Sequence, residues 1–240
     1  MKVFILIGKF FGYLSLIVPR KASYPWYLVK RAFITARSKG VVKEFGKGSL
    51  LAPGVKLYTP KYISVGKGSS IMSHCIIETC PAKGHEPQMV IGDNVSLGEY
   101  SHITCGNKVT IGNGVLTGRF VLITDNSHGN NTKEVADIAP LAREIHSNGP
   151  VYIGENVWIG DKVTILPNVT IGKGSIIAAN AVVLQEVPAN ATAVGIPAQI
   201  VRVQGEKVKK YVDELDQTSV ENPTLAKIEA LTRRLEELEQ

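Results

Sequence analysis

The sequence predicts an all-β chain built around a parallel β-helix with triangular coils. Two observations carry this. Apolar residues, mostly aliphatic and with Thr117 as the exception, recur every six positions from Cys105 to Val183, and Gly or Ala follows many of them. The beat also keeps phase across a long interruption: it stops at Ile123 and resumes at Ile153, five sixes later. Such a period matches neither the about 3.6-residue turn of an α-helix nor the alternation of a hairpin strand. A fixed short repeat is the mark of a solenoid.

Residues 1–44 read as a basic, apolar, helical segment. Residues 1–48 hold ten Lys or Arg against Glu44 alone, a net +9, so the remainder sums to −3 and the overall +6 reports the N-terminus. With no nucleic-acid motif in the repeat, nucleic acid is not an expected partner. Two apolar runs, 3–7 and 10–18, are divided by Lys9. A spanning helix needs about 20 apolar residues, and a central Lys costs about 2.5–3.5 kcal/mol. No small-residue cleavage site marks a signal peptide. The expectation is a cytoplasmic protein, peripheral at the inner membrane face through residues 1–40, with packing of this segment on the first coil as the alternative.

Residues 45–203 form the repeat. Phe45, Leu51, Leu57 and Ile63 are six apart, and Val65, Ile71, Ile77, Ile91 and Leu97 continue less regularly. A polar loop at 81–87 and a two-residue slip between 97 and 105 interrupt them. The aliphatic residue points inward, and the small residue after it permits a tight corner. Three hexads make a coil of 18 residues, which stacks Cys105 under Ile123 and Ile153 under Ile171. Each buried aliphatic contributes about 1.5–3 kcal/mol. Residues 126–150 protrude as a loop. Residues 204–240 close the chain; 206–217 and 224–239 read as helices, the second with an apolar stripe at Leu225, Ile228, Leu231, Leu235 and Leu238. Cys75, Cys80 and Cys105 are an odd set without a C-x-x-C pair, so reduced thiols and no metal are expected.

The beat breaks at Asp125-Asn126-Ser127-His128-Gly129, and an excursion from a solenoid is where binding concentrates. This segment is followed by Gly149-Pro150-Val151-Tyr152-Ile153-Gly154-Glu155-Asn156-Val157-Trp158-Ile159-Gly160, by Ile165-Leu166-Pro167-Asn168-Val169-Thr170-Ile171-Gly172, and by Val194-Gly195-Ile196-Pro197 running to Arg202. Together these resemble the hexapeptide-repeat acyltransferases, within them the sugar and polysaccharide O-acetyltransferases related to galactoside and maltose acetyltransferases. The resemblance covers about residues 45–203 and leaves out both tails. It implies a left-handed coil, a homotrimer with active sites between neighbouring subunits, and transfer of acetyl from acetyl-CoA to a hydroxyl of a sugar or cell-surface polysaccharide precursor. An N-acetyltransferase of a nucleotide-linked amino sugar is the alternative, and a non-catalytic scaffold at the membrane face a further one.

By motif position the resemblance makes His128 the general base, which takes the hydroxyl proton as it attacks the thioester. Asp125 and Asn107, 18 apart, are expected to bind acceptor hydroxyls, to orient the imidazole or simply to form a polar corner ladder. His102 and Arg143 are further acceptor candidates, Arg143 with a loop-anchoring ion pair as its alternative; His146, in the loop, could border the groove. The family often has His where this chain has Asn126. For the coenzyme, Trp158 is expected along the pantetheine arm and the N–H near Asp161 at the thioester oxygen. Ala179 is expected to meet the pantetheine through its backbone, and Arg202 to meet a phosphate. Related enzymes commonly carry Thr-Lys where this chain has Leu184-Gln185, so either Lys173 or a residue of the C-terminal helix is expected to substitute for that lysine, or coenzyme affinity is expected to be weaker. A zinc enzyme on the same fold is excluded, because histidine gaps of 11, 17, 26 and 18 include no pair five apart.

Overall fold

Short strands of alternating inward aliphatic and outward polar residues, separated by corners, give the chain three parallel sheets that each recruit every third strand. The computed structural model describes residues 20–130 and 132–208. Its first face runs from Glu44–Phe45 through Ile63–Val65, Gln88–Ile91, Lys108–Ile111 and Val151–Ile153 to Thr170–Ile171. The second runs from Leu50–Leu51 to Ile176–Ile177 and ends in an antiparallel hairpin, Ala191–Val194 with Gln199–Val203, to which Glu206–Lys207 adds a last short strand. The third runs from Lys56–Tyr58 to Val182–Val183. One continuous core of Ile, Val, Leu, Met and Cys fills the prism from Leu51 to Ala193.

Two registers differ from the sequence reading. Ile123 lies over Ile103, not Cys105. Only the upper coils repeat every 18 residues, as Ile153 with Ile171; lower coils pair Leu51 with Ile71 and Ile91 with Ile111, twenty apart. The extra residues sit at one place, the third–first edge, where the chain also carries the loop at 81–87 and the excursion after Thr124. Cys105-Gly106 imitates a hexad, but Gly106 is small because a Cβ there would sit 3.0 Å from the Asn126 Cβ and 3.1 Å from that of Ala82.

The other two edges are regular yet unlike. On the first–second edge every left-handed corner residue from Gly48 to Asn190 is Gly or Asn. On the second–third edge the equivalent residues are Gly54, His74, Tyr100, Phe120, Lys162 and Asn180. Left-handed backbone costs a bulky residue about 1–3 kcal/mol. The three rings stack as a ladder, with centroids 5.0 Å apart from His74 to Tyr100 and 5.1 Å from Tyr100 to Phe120.

A helix, α1 (Arg20–Lys39), lies across the open first coil. Thr35 Oγ1 accepts the otherwise unpaired Leu51 N–H at 2.9 Å, and an Arg31 Nη2 donates to Ser70 Oγ at 2.9 Å. The expected helix from 206 starts with strand residues, since Glu206–Lys207 pairs with Arg202 and Val203. The other expected C-terminal helical residues, with the Leu225–Leu238 stripe, and the apolar runs at 3–7 and 10–18 lie outside the described residues. Among the described residues no helix is long and apolar enough to cross a membrane, and no group of three or more His, Cys, Asp or Glu is gathered as metal ligands.

Candidate active site

The excursion leaves the third face after Leu122–Thr124 and opens as an antiparallel pair, Asn126–His128 with Ile145–Ser147. Its root is fixed by Asp125, which has no solvent exposure. The Asp125 carboxylate accepts the N–H groups of Gly106, Asn107 and Lys108 at 2.6, 2.8 and 2.7 Å, and the Asn126 amide at 2.9 Å. The Gly106 N–H, which is buried, would cost about 1–3 kcal/mol unpaired; the other three donors are part-buried. Asp125 and Asn107 thus meet at the corner itself, carboxylate to backbone, and it is the polar ladder that the contacts describe. Asn126 also donates to Thr104 Oγ1 at 3.1 Å.

Three residues on, His128 ends its strand opposite Ile145 with an exposed side chain. Gly129 turns the chain at φ 79°, packed under the Arg143 stem. Arg143 anchors the loop, but through carbonyls rather than an ion pair: its Nε donates to Ile138 O at 2.8 Å. The loop's ion pair is Lys83 Nζ with Glu144 Oε2 at 2.7 Å, beside a Lys83 N–H bond to Ile145 O at 2.9 Å. This docking of the 81–87 loop against the hairpin joins residues 61 apart, so no local pattern announced it. A cavity of about 460 Å³ lies under the loop, lined by Gly129, Glu134, Ile138, Arg143 and His146 among others; His128 stands outside it.

The remaining expected residues lie elsewhere. His102 is on the outer side of the third face, its Nε2 3.5 Å from Glu78 Oε2. Trp158, 53% exposed, stands on the outer second face between Leu116 and Ile176, which makes an exposed apolar column of three. Asp161 and Ala179 occupy successive coils of the second–third edge: Asn180 N–H donates to Asp161 O at 2.9 Å. Asp161 Oδ1 accepts the Arg119 N–H at 2.8 Å. Arg202 is exposed in the end hairpin, opposite Thr192. Lys173, an expected replacement for the missing lysine, is on the first–second edge, paired with Glu155 at 2.8 Å. One protomer therefore carries two clusters. His128 springs from the third–first edge; Trp158, Asp161 and Ala179 follow the second face and second–third edge, with the third face between.

Residues 150–185 match the family described as bacterial transferase hexapeptide (six repeats). The chain is 37% identical to a putative lipopolysaccharide biosynthesis O-acetyl transferase of Escherichia coli over 50% of its own length and 62% of that protein. It is 36% identical to the galactoside O-acetyltransferase of E. coli over 43% of its length and 48% of that protein. It is 30% identical to a probable acetyltransferase of Mycobacterium tuberculosis over 81% and 64%. The chain thus spans less than two thirds of the length of each of these relatives. Among solved structures, an N-acyltransferase from Bacillus cereus in complex with dTDP and 3-hydroxybutyryl-CoA shares the fold, with a TM-score of 0.59 at 20% identity over 76% of this chain and 93% of that one. A hexapeptide-repeat acetyltransferase from Vibrio cholerae gives 0.50 at 24% over 73% and 82%.

Proposed function

The chain belongs to the hexapeptide-repeat transferases, and from that premise we propose that it moves an acetyl group from acetyl-CoA to a hydroxyl of a sugar or cell-surface polysaccharide precursor. The observation that carries this is His128: an exposed imidazole at the foot of a hairpin whose root is locked by a buried carboxylate. In this reading the coil is left-handed and the protein is a homotrimer. His128 of one protomer faces the Trp158, Asp161 and Ala179 cluster of its neighbour.

The chemistry follows from these groups. His128 accepts the acceptor's hydroxyl proton as the oxygen forms a bond to the thioester carbon. Negative charge moves to the carbonyl oxygen, where the N–H near Asp161 stabilises it. Collapse breaks the carbon–sulfur bond, and the imidazolium returns the proton to the departing CoA sulfur. Trp158 lies along the pantetheine arm, Ala179 meets it through backbone groups, and Arg202 takes a phosphate. His102 and Arg143 border the acceptor, Arg143 by holding the loop's shape. Both E. coli relatives are named for O-acetyl transfer, which favours a hydroxyl over an amine.

Peripheral contact with a membrane through residues 1–40 belongs to the same reading. Helix α1 contains no acidic residue and turns Trp26 (62% exposed), Val29 and Phe33 (68%) away from the coils, with Lys30 and Arg37 beside them.

The test is a screen of acetyl-CoA turnover against sugars and amino sugars, run beside His128→Ala. The variant is expected to keep its circular dichroism and its CoA affinity while transfer falls at least about 100-fold. Undiminished transfer by the variant overturns the assignment. A product stable to mild base is an amide rather than an ester and returns the N-acetyl alternative.

A further inference from the structure

We infer that the aromatic ladder of the second–third edge, with Glu99 and Arg119 beside it, is a binding subsite for a neutral saccharide acceptor. This deepens the reading that transfer occurs at the Asp161 and Ala179 corner and rests on it.

The ladder is not demanded by the fold. Both regular edges ask for left-handed residues at equivalent corners, and the first–second edge answers with Gly and Asn alone. Only the second–third edge places His74, Tyr100 and Phe120 at φ 61°, 60° and 57°. Nor do the rings serve the core, for Tyr100 is 50% and Phe120 53% exposed. Large rings held in a costly backbone conformation, on the surface and on one of the two regular edges only, point to a site rather than a scaffold.

The ladder also leads to the right place. Backbone hydrogen bonds tie the edge together coil by coil: Tyr100 N–H to Ser73 O at 3.1 Å, Phe120 to Glu99 at 2.9 Å, Lys162 to Arg119 at 2.8 Å, Asn180 to Asp161 at 2.9 Å. Phe120 is the last ring; the next coil carries Lys162, so no fourth ring covers its upper face, one coil below Asp161. An acceptor resting on Phe120 and touching only the edge of Tyr100, whose two faces are taken by His74 and Phe120, would bring a hydroxyl toward that corner.

The polar neighbours select the ligand. Arg119 Nε lies 3.3 Å from Glu99 Oε2, so a donor fork and a carboxylate stand together beside the rings. A pyranose offers apolar C–H faces and a rim of hydroxyls that both donate and accept, which this set satisfies. Glu99 and Asp161 balance Arg119 and Lys162 on this edge, so it offers a diphosphate no net positive charge, and a lipid chain would make no use of the pair's donors and acceptors.

The experiment replaces Tyr100 and Phe120 by Asn, singly and together. Asn180 holds the same corner geometry on this edge, so the backbone is kept. Wild type and variants, each loaded with CoA, are compared by saturation-transfer NMR with methyl glycosides of glucose, galactose, mannose and N-acetylglucosamine and with maltotriose. Irradiation of ring protons is expected to reach at least one of these sugars in wild type and none in the double variant. The KM for that sugar should rise at least about tenfold, equivalent to about 1.4 kcal/mol, with CoA affinity by calorimetry unchanged. Three results overturn the inference: no saturation of any sugar by wild type, an unchanged sugar KM in the double variant, or a changed oligomeric mass, which would make the ladder a subunit contact. If instead wild type neither binds CoA nor turns over acetyl-CoA, the failure belongs to the acetyltransferase reading.

Discussion

Cys105 and Cys75 show what the prism does to a single ionisable group. Burial is the main cause that pushes the Cys105 thiol up to about 12, with the Asp125 carboxylate adding to it; burial likewise pushes Cys75 up to about 11. Both are therefore neutral in the folded chain over any ordinary pH. A raised folded-state value contributes stability that is whole below the unfolded thiol's pKa, near 9.0, and is lost as pH rises toward 11 and 12. Denaturant titrations between pH 8 and pH 11 should show unfolding free energy declining above pH 9. Cys105→Ala should make that decline shallower, by at most about 1.4 kcal/mol per pH unit. An identical slope in the variant would mean that this thiol does not govern it. Residue scale is also where the sequence misled most. Cys105-Gly106 reads as a corner of the beat, yet Ile103 occupies the ladder position, and its follower Thr104 carries no small-residue signal. Asp125, three residues before His128, reads from the sequence as an acceptor contact, an orienter of the imidazole or a rung of a polar corner ladder. Its oxygens are held by three backbone donors and the Asn126 amide, a use that depends on the coil below.

At the scale of elements, legibility follows regularity. The coils from Val151 upward repeat without insertion, so their strands could be read off directly. The lower coils absorb extra residues at the third–first edge, and there spacing alone gives the wrong partner. The docking of Lys83 on Glu144 and Ile145 is a contact between two insertions, and nothing periodic precedes either. Helix α1 is legible as basic and aromatic, but only its packing shows which side faces out. Ile34 and Thr35 turn to the coils, so Trp26, Val29 and Phe33 are left on the opposite side. The full-length chain should sediment with vesicles of one part phosphatidylglycerol to three parts phosphatidylcholine, and less at high salt. Trp26→Ser with Phe33→Ser should weaken this at least about tenfold, because each ring carries about 1.5–3 kcal/mol of burial. Equal sedimentation of the variant would assign that side of α1 to another contact.

For the whole molecule, the placement of the two clusters has a direct consequence. His128 and the Trp158–Asp161–Ala179 group leave one protomer by different edges, with the third face between them. If they cooperate, they do so across a subunit boundary. His128→Ala and Trp158→Ala should each be inactive alone. Chains carrying one change each, co-expressed and assembled together, should regain about a quarter of the wild-type rate, as expected for random pairing across a cyclic heterologous interface. No recovery would place both halves of the site on the same subunit.

The third–first edge has an evolutionary corollary. Both long insertions depart and return there, and the ladders above and below close over them in register. Doubling a flexible loop costs only about 0.6 kcal/mol. A lineage could therefore trade one insertion for another, longer or shorter, and acquire a new clientele of acceptors while the barrel-like spine beneath stayed as it was.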